Sequence, residues 1–171
     1  ADADFDGKPD SQQVTPKVTV TGSASTNGFT VKLISAFENE YTGDVTIGEA
    51  DENGMYTFTA EFDASDLPDC DYSIKVEKKY YTSYAITDVP KSDIEKVMFA
   101  NDYAAMLYAG NLNDNDDVIN TSDRLILNRH MGESGGIEYG DLDENGVINT
   151  SDRLILNKNI SRSSIERAWN N

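Results

Sequence analysis

Cysteine, histidine and tryptophan each occur once in the 171 residues, as Cys70, His130 and Trp169, and proline occurs four times. A single cysteine excludes an internal disulfide, so stability must come from an apolar core and from whatever the chain can bind. With one histidine, no histidine near Cys70 and no serine motif suited to attack, the sequence offers no nucleophile and base pair. Basic side chains are scarce too. The balance of 14 Lys and Arg against 31 Asp and Glu gives a formal charge of −17, which excludes nucleic acid and anionic membranes as natural partners. No apolar run reaches transmembrane length. The start, ADADFDGKPDSQQ, is no signal peptide and reads as a linker or the edge of an expressed piece over residues 1–15. The chain is therefore expected to be the C-terminal part of a longer secreted protein.

What the sequence does contain is a duplication. GNLNDNDDVINTSDRLILNRHM, from Gly110 to Met131, returns as GDLDENGVINTSDRLILNKNI, from Gly140 to Ile160, with the run INTSDRLILN shared. One small unit is used twice, and the two copies are expected to fold alike. In the second copy Asp141, Asp143, Asn145, Asn149 and Asp152 fall at positions 1, 3, 5, 9 and 12 of a twelve-residue loop, with Gly146 at position 6. That spacing suits a hard cation such as calcium, because alternate side chains of a tightly wound loop converge on one point and glycine permits the turn. The Val147 carbonyl fills position 7. Ile148 at position 8 is expected to pair the two loops through a short strand-like contact. Asp152 stands where an EF-hand usually has glutamate.

The first copy is one residue longer. Its start places Asn111 and Asn113 at positions 1 and 3, and the shared run places the Val118 carbonyl at 7, Asn120 at 9 and Asp123 at 12. Position 5 is Asn115 or Asp116, with Asp116 preferred. Asp117 then takes the turn position, where aspartate tolerates a left-handed backbone better than most residues. Two asparagines in place of carboxylates predict weaker calcium binding here than in the second loop, or a first loop that stays empty.

Glycines at 132, 135 and 136 oppose an entering helix before the second loop. Each loop is therefore followed, but not preceded, by a helix, with Thr121 and Thr150 as expected N-caps and Asp123 and Asp152 early in the first turn. Leu125, Ile126 and Leu127, like Leu154, Ile155 and Leu156, are three consecutive apolar residues spanning about 200° of a helix. A core-facing stripe is nearer 100° wide, so at least one member of each trio is expected to face water and suit a partner.

Two loop–helix units without entering helices resemble the duplicated F-hand of a dockerin, the module by which cellulosomal proteins bind cohesins on a scaffoldin. The resemblance covers about sixty residues and rests on GDLDENGVINTSD, the following LILNK and their near copy. It implies a cohesin partner, met through Thr121, Ser122, Leu125, Ile126, Asn128 and Arg129 in the first copy. In the second the same positions are Thr150, Ser151, Leu154, Ile155, Asn157 and Lys158. It also implies two binding orientations related by about 180°, with His130 against Asn159 and the unequal loops as the asymmetries. Ile165 and Trp169, four residues apart, are expected on a last helical turn packed back on this module.

Residues 16–109 read differently. Period-two alternation marks strands at Lys17–Thr21, Phe29–Ile34, Asp44–Ile47, Met55–Phe62, Tyr72–Glu77, Tyr84–Val89 and one or two between Val97 and Ala109. Asn27-Gly28, Gly43-Asp44, Asn53-Gly54 and Leu67-Pro68-Asp69 supply the turns. Asp66 to Val89 resembles the strand pair of carboxypeptidase-regulatory-like and prealbumin-like sandwiches, although Cys70 and Lys79 replace its usual glycines. The predicted architecture is multidomain: an N-terminal all-β immunoglobulin- or prealbumin-like sandwich, then a small α dockerin of two F-hand repeats over 110–171. Such a sandwich resembles the X-module of an X-dockerin pair, and the apolar AAMLYAG around residues 104–110 is expected to carry its last strand into the first loop. Tyr80, Tyr81 and Tyr84 would also allow carbohydrate binding, though packing is the commoner use.

The expected function is calcium-dependent assembly, recruiting a parent protein to a cellulosome-like complex for polysaccharide degradation, in an extracellular or cell-surface setting. The alternative is a calcium sensor or buffer with no cohesin partner. Enzymatic activity is not expected: a ninety-residue sandwich has little cleft for a glycosidase pair.

Overall fold

β-branched and aromatic residues alternating with polar ones make the strands, and the strands make two facing sheets. The computed structural model describes residues 15–113 and 115–170, so nearly all of the expected linker over 1–15 lies outside the described residues. One sheet runs β4 (Asp44–Ala50), β5 (Tyr56–Asp63), β1 (Lys17–Ala24), β8 (Met98–Phe99). The other runs β3 (Glu40–Thr42), β2 (Thr30–Ser35), β6 (Asp71–Glu77), β7 (Tyr84–Pro90), β9 (Ile165–Ala168). Neighbours are antiparallel except at two edges, where β8 lies parallel to β1 and β9 parallel to β7.

Alternation along β2 and β6 sends Val31 and Leu33, with Tyr72, Ile74 and Val76, into the core and leaves Lys32 and Lys75 on the outer face. Val20, Phe58, Ala60 and Phe62 meet them from the other sheet. Phe58 is flanked by Phe29 and Phe99, with ring centroids 5.2 and 5.8 Å away. Such aromatic pairs add about 0.5–1.5 kcal/mol each beyond their buried area.

The expected division into a sandwich and a separate α module is corrected. The chain is one β-sandwich body, mostly sheet, with helix confined to α1 (Thr121–Arg129), α2 (Thr150–Asn159) and short 3-10 turns. Its last strand, β9, comes from the far end of the chain, so the loop–helix segment is a long excursion between two strands of the sandwich. Ile165 and Trp169 pack on the main core, and Tyr81 touches both that core and the smaller apolar cluster beneath the helices. No seam separates the two. The expected last helical turn is likewise a strand. A spacing of four residues keeps two side chains on one face of either element, and the free hydrogen-bonding edge of β7 favours the strand.

Between Val97 and Ala109 regular pairing is limited to the two residues of β8. The expected final strand is an extended segment crossing the end of the sandwich. Ala105 exchanges hydrogen bonds of 2.9 Å with Ser23 and Ser25, then Tyr108 pairs with Thr82 in the β6–β7 connection. This segment leads into the first loop.

Candidate functional site

The two repeats start their helices in the same way. Asn120 and Asn149, not the threonines after them, are the N-caps: their side-chain oxygens accept from Ser122 and Ser151 N–H at 2.7 Å. Asp123 and Asp152 complete the capping boxes by accepting from the Asn120 and Asn149 N–H groups. The cap residue therefore lies one position earlier than expected, because asparagine caps as well as threonine or better. The oxygens assigned to position 9 are engaged at these caps.

Asp152 is fully buried, and its second oxygen accepts from the Leu142 and Asp143 N–H groups at 2.7 and 3.1 Å. Asp141, also buried, accepts from Asn145 and Gly146 N–H. Gly146 takes the left-handed turn at φ 89°. One oxygen each of Asp141, Asp143 and Asp152 lies within 4.8 Å of the other two. Two ligands of one calcium ion, each about 2.4 Å from it, can be at most roughly 5 Å apart, so the cluster has the required size. Among the described residues no Lys or Arg forms an ion pair with the three. Desolvation, then the charges of Asp152 and Asp141, hold the Asp143 carboxyl above its ordinary value against the N–H of Asn145. Amide donors meet part of the cost of burying Asp141 and Asp152, beside the exposed Asp143; a bound cation would meet the rest.

The first loop repeats this network with fewer charges. Asp123 is fully buried and accepts from Leu112 N–H, Asn113 N–H and the Asn113 side-chain amide at 2.7 to 3.0 Å. Asp116 accepts from Val118 N–H at 3.1 Å, as Asn145 accepts from Val147 N–H at 2.9 Å. Asn115 instead donates its N–H to Asn113 Oδ1. Asp117 does not adopt the left-handed backbone expected at its turn position; the extra residue lets this loop turn differently. Asn111 Oδ1, at the first loop's opening position, is buried and has no hydrogen-bond partner among the described residues. An oxygen left so is an open acceptor for a cation.

Contrary to the expectation, the loops do not pair with each other at Ile119 and Ile148. Ile148 pairs with the segment after α1, exchanging hydrogen bonds with Gly132 and Glu133 of 2.8 and 2.9 Å. Ile119 pairs with the segment after α2, through Ser161 and Arg162 at the same distances. Each loop is thus held by the chain leaving the opposite helix. No residue type marks these partners, because the bonds are backbone to backbone. The helix ends cross over similarly: His130 packs at a tilt against Tyr139, centroids 4.8 Å apart, before the second loop, and Asn159 donates to the Ala109 carbonyl at 2.9 Å before the first.

Of each apolar trio one residue is buried (Leu127, Leu156), one half-buried (Ile126, Ile155) and one exposed, Leu125 at 52% and Leu154 at 64%. Thr121, Ser122, Asn128 and Arg129 are exposed, as are Thr150, Ser151, Asn157 and Lys158. The surroundings of the helices differ: Ile155 and Lys158 line a groove of about 370 Å³ together with Met106 and Tyr108. Tyr84 is buried in the main core, while Tyr80 and Tyr81 pack against the smaller cluster.

A chain of a type II cohesin–X-dockerin complex from Acetivibrio cellulolyticus, the crystal structure of a C-terminal interface mutant, has a similar fold. The TM-score is 0.54 at 20% identity, over 86% of this chain and 97% of that one. The likeness extends to the fold alone. No family model matches the sequence, and no curated protein does.

Proposed function

We propose that the chain is an extracellular, calcium-dependent assembly module, with two loop–helix repeats that bind a cohesin-type partner and recruit the attached protein to a cellulosome-like complex. The carrying observation is the paired arrangement of Asp123 with Leu125 and Asp152 with Leu154. In each repeat a buried carboxylate fixes the helix start, and two residues on a large apolar side chain stands in water. Calcium would be held in the second loop by Asp141, Asp143, Asn145, the Val147 carbonyl and Asp152. In the first it would be held by Asn111, Asn113, Asp116, the Val118 carbonyl and Asp123. The ion neutralises the buried carboxylates, so the helices and the leucines they carry stay in place.

Exposed apolar side chains at equivalent positions of two repeats suit a protein partner. The similar fold of a chain from a cohesin–X-dockerin complex supports a cohesin as that partner. The sandwich holds the repeats at both ends. Calorimetric titration with a panel of cohesins, with and without chelator, tests the reading. Binding to at least one cohesin in calcium, lost on chelation, is expected; a calcium sensor would take up the ion and ignore every cohesin.

A further inference from the structure

Near-identical sequences put the two loops in unlike mechanical settings. The backbone hydrogen bonds that Asp141–Ile148 makes to other segments run to Gly132–Gly136, within the excursion itself. The first loop is gripped instead by the β6–β7 connection of the sandwich. At its entrance the N–H groups of Gly110 and Asn111 both donate to the Tyr80 carbonyl at 3.0 Å. Asn111 is the residue whose side-chain oxygen is buried without a partner. Tyr80 holds a left-handed backbone, φ 69°, that tyrosine seldom adopts.

Midway along the loop, Ser164 N–H donates to the Asp117 carbonyl at 2.9 Å, and the Ser164 hydroxyl oxygen accepts from Ser83 N–H at 2.9 Å. The next residue, Ile165, donates its N–H to the Ser83 carbonyl and begins β9. Trp169 ends that segment, half-buried on the main core, its ring N–H 3.2 Å from Asp93 Oδ2.

We propose that Tyr80, Ser164 and the docked strand β9 are positioning parts of the first cation site, so that ion binding in this loop and docking of β9 on the sandwich are one coupled event, whereas the second loop binds independently of β9. The inference rests on the calcium reading above. Coupling is reciprocal: an ion that fixes Asp117–Ile119 fixes Ser161–Ser164 and thereby β9, and a docked β9 pre-organises the loop. Two repeats of like sequence then report on different things, the second on the helix pair and the first on its attachment to the sandwich.

Trp169 is the sole tryptophan, so its emission follows β9 directly. Calcium titration of the full chain is followed by calorimetry, Trp169 emission and hydrogen exchange of the Ile165–Ala168 amides, in the wild type, Asp123→Asn and Asp152→Asn. The emission change and the gain in protection are expected to track one calorimetric step, to persist in Asp152→Asn and to vanish in Asp123→Asn. Reciprocally, Trp169→Ala should weaken that step by about five- to 150-fold, the range of ordinary coupling free energies, and leave the other step unchanged. If calorimetry finds two ions bound while β9 responds to neither, or if Asp152→Asn abolishes the response as fully as Asp123→Asn, the coupling is refuted and the calcium reading survives. If no ion binds, both fall. The wild-type titration decides the matter even if a variant fails to fold.

Discussion

A Cβ placed on Gly140 would stand 2.8 Å from Leu127 Cγ, because the chain enters the second loop directly beneath the helix of the first repeat. The converse holds for Gly110, whose Cβ would lie 3.4 Å from Leu156 Cγ. Each helix therefore roofs the entrance of the opposite loop with its one fully buried leucine, and the repeats interlock.

Gly140→Ala should cost more than Gly110→Ala. Both glycines have positive φ, 113° and 120°, a strain of about 1–3 kcal/mol for alanine. At Gly140 the collision with Leu127 adds overpacking of about 1–3 kcal/mol. Urea unfolding of the two variants checks this, and equal losses would contradict it.

Two leucines on one helix, two residues apart, should behave as opposites. Leu127→Ala empties a fully buried position and should cost about 2–5 kcal/mol. Leu125→Ala removes an exposed side chain and should change stability by less than about 0.5 kcal/mol, while weakening partner binding. A large stability loss from Leu125→Ala would place that residue in the core rather than on a docking face.

Asp152→Asn should lower the calcium stoichiometry by one ion. The carboxylate is the most deeply buried of the three-acid cluster, and asparagine can still accept part of its hydrogen bonds but supplies no charge. Calorimetry that counts the same number of ions in variant and wild type would remove Asp152 from the ligand set.

One acid-sensitive contact lies apart from the loops. Glu77 meets Lys32 at 2.6 Å and Lys75 at 3.4 Å. Burial pushes its carboxyl up, but the two lysines outweigh this and hold it below its ordinary value. Its contribution is therefore complete above the ordinary glutamate value of about 4.3 and is lost as pH falls through the lowered one. Melting temperatures of wild type and Glu77→Gln should differ by a constant amount above about pH 5 and converge at more acid pH. A gap that widens on acidification would reverse the sign.

The loop carboxylates were legible in the sequence because their spacing is local: Asp141, Asp143 and Asp152 converge through the winding of one short segment. Leu125 and Leu154 were legible as surplus apolar residues, since no helix buries three in a row on one side. β9 was not, because residues four apart share a face in helix and strand alike, and only the open edge of β7 decides between them. Nor were the partners of Ile119 and Ile148, whose backbone bonds leave no mark on residue type. The choice of one body over two domains turned on Ile165 and Trp169 as well, because a sandwich completed by the end of its own chain cannot be told locally from one followed by a second module.

Whether cations in the two loops hold the helix faces in shape is read from amide NMR of the chain with and without chelator. Chelation should collapse the dispersed signals of Asn111–Arg129 and Asp141–Asn159, leave β1, β2 and β5–β7 in place, and restore the helix signals when calcium is added back. A chelated protein that keeps those helix signals unshifted would contradict it.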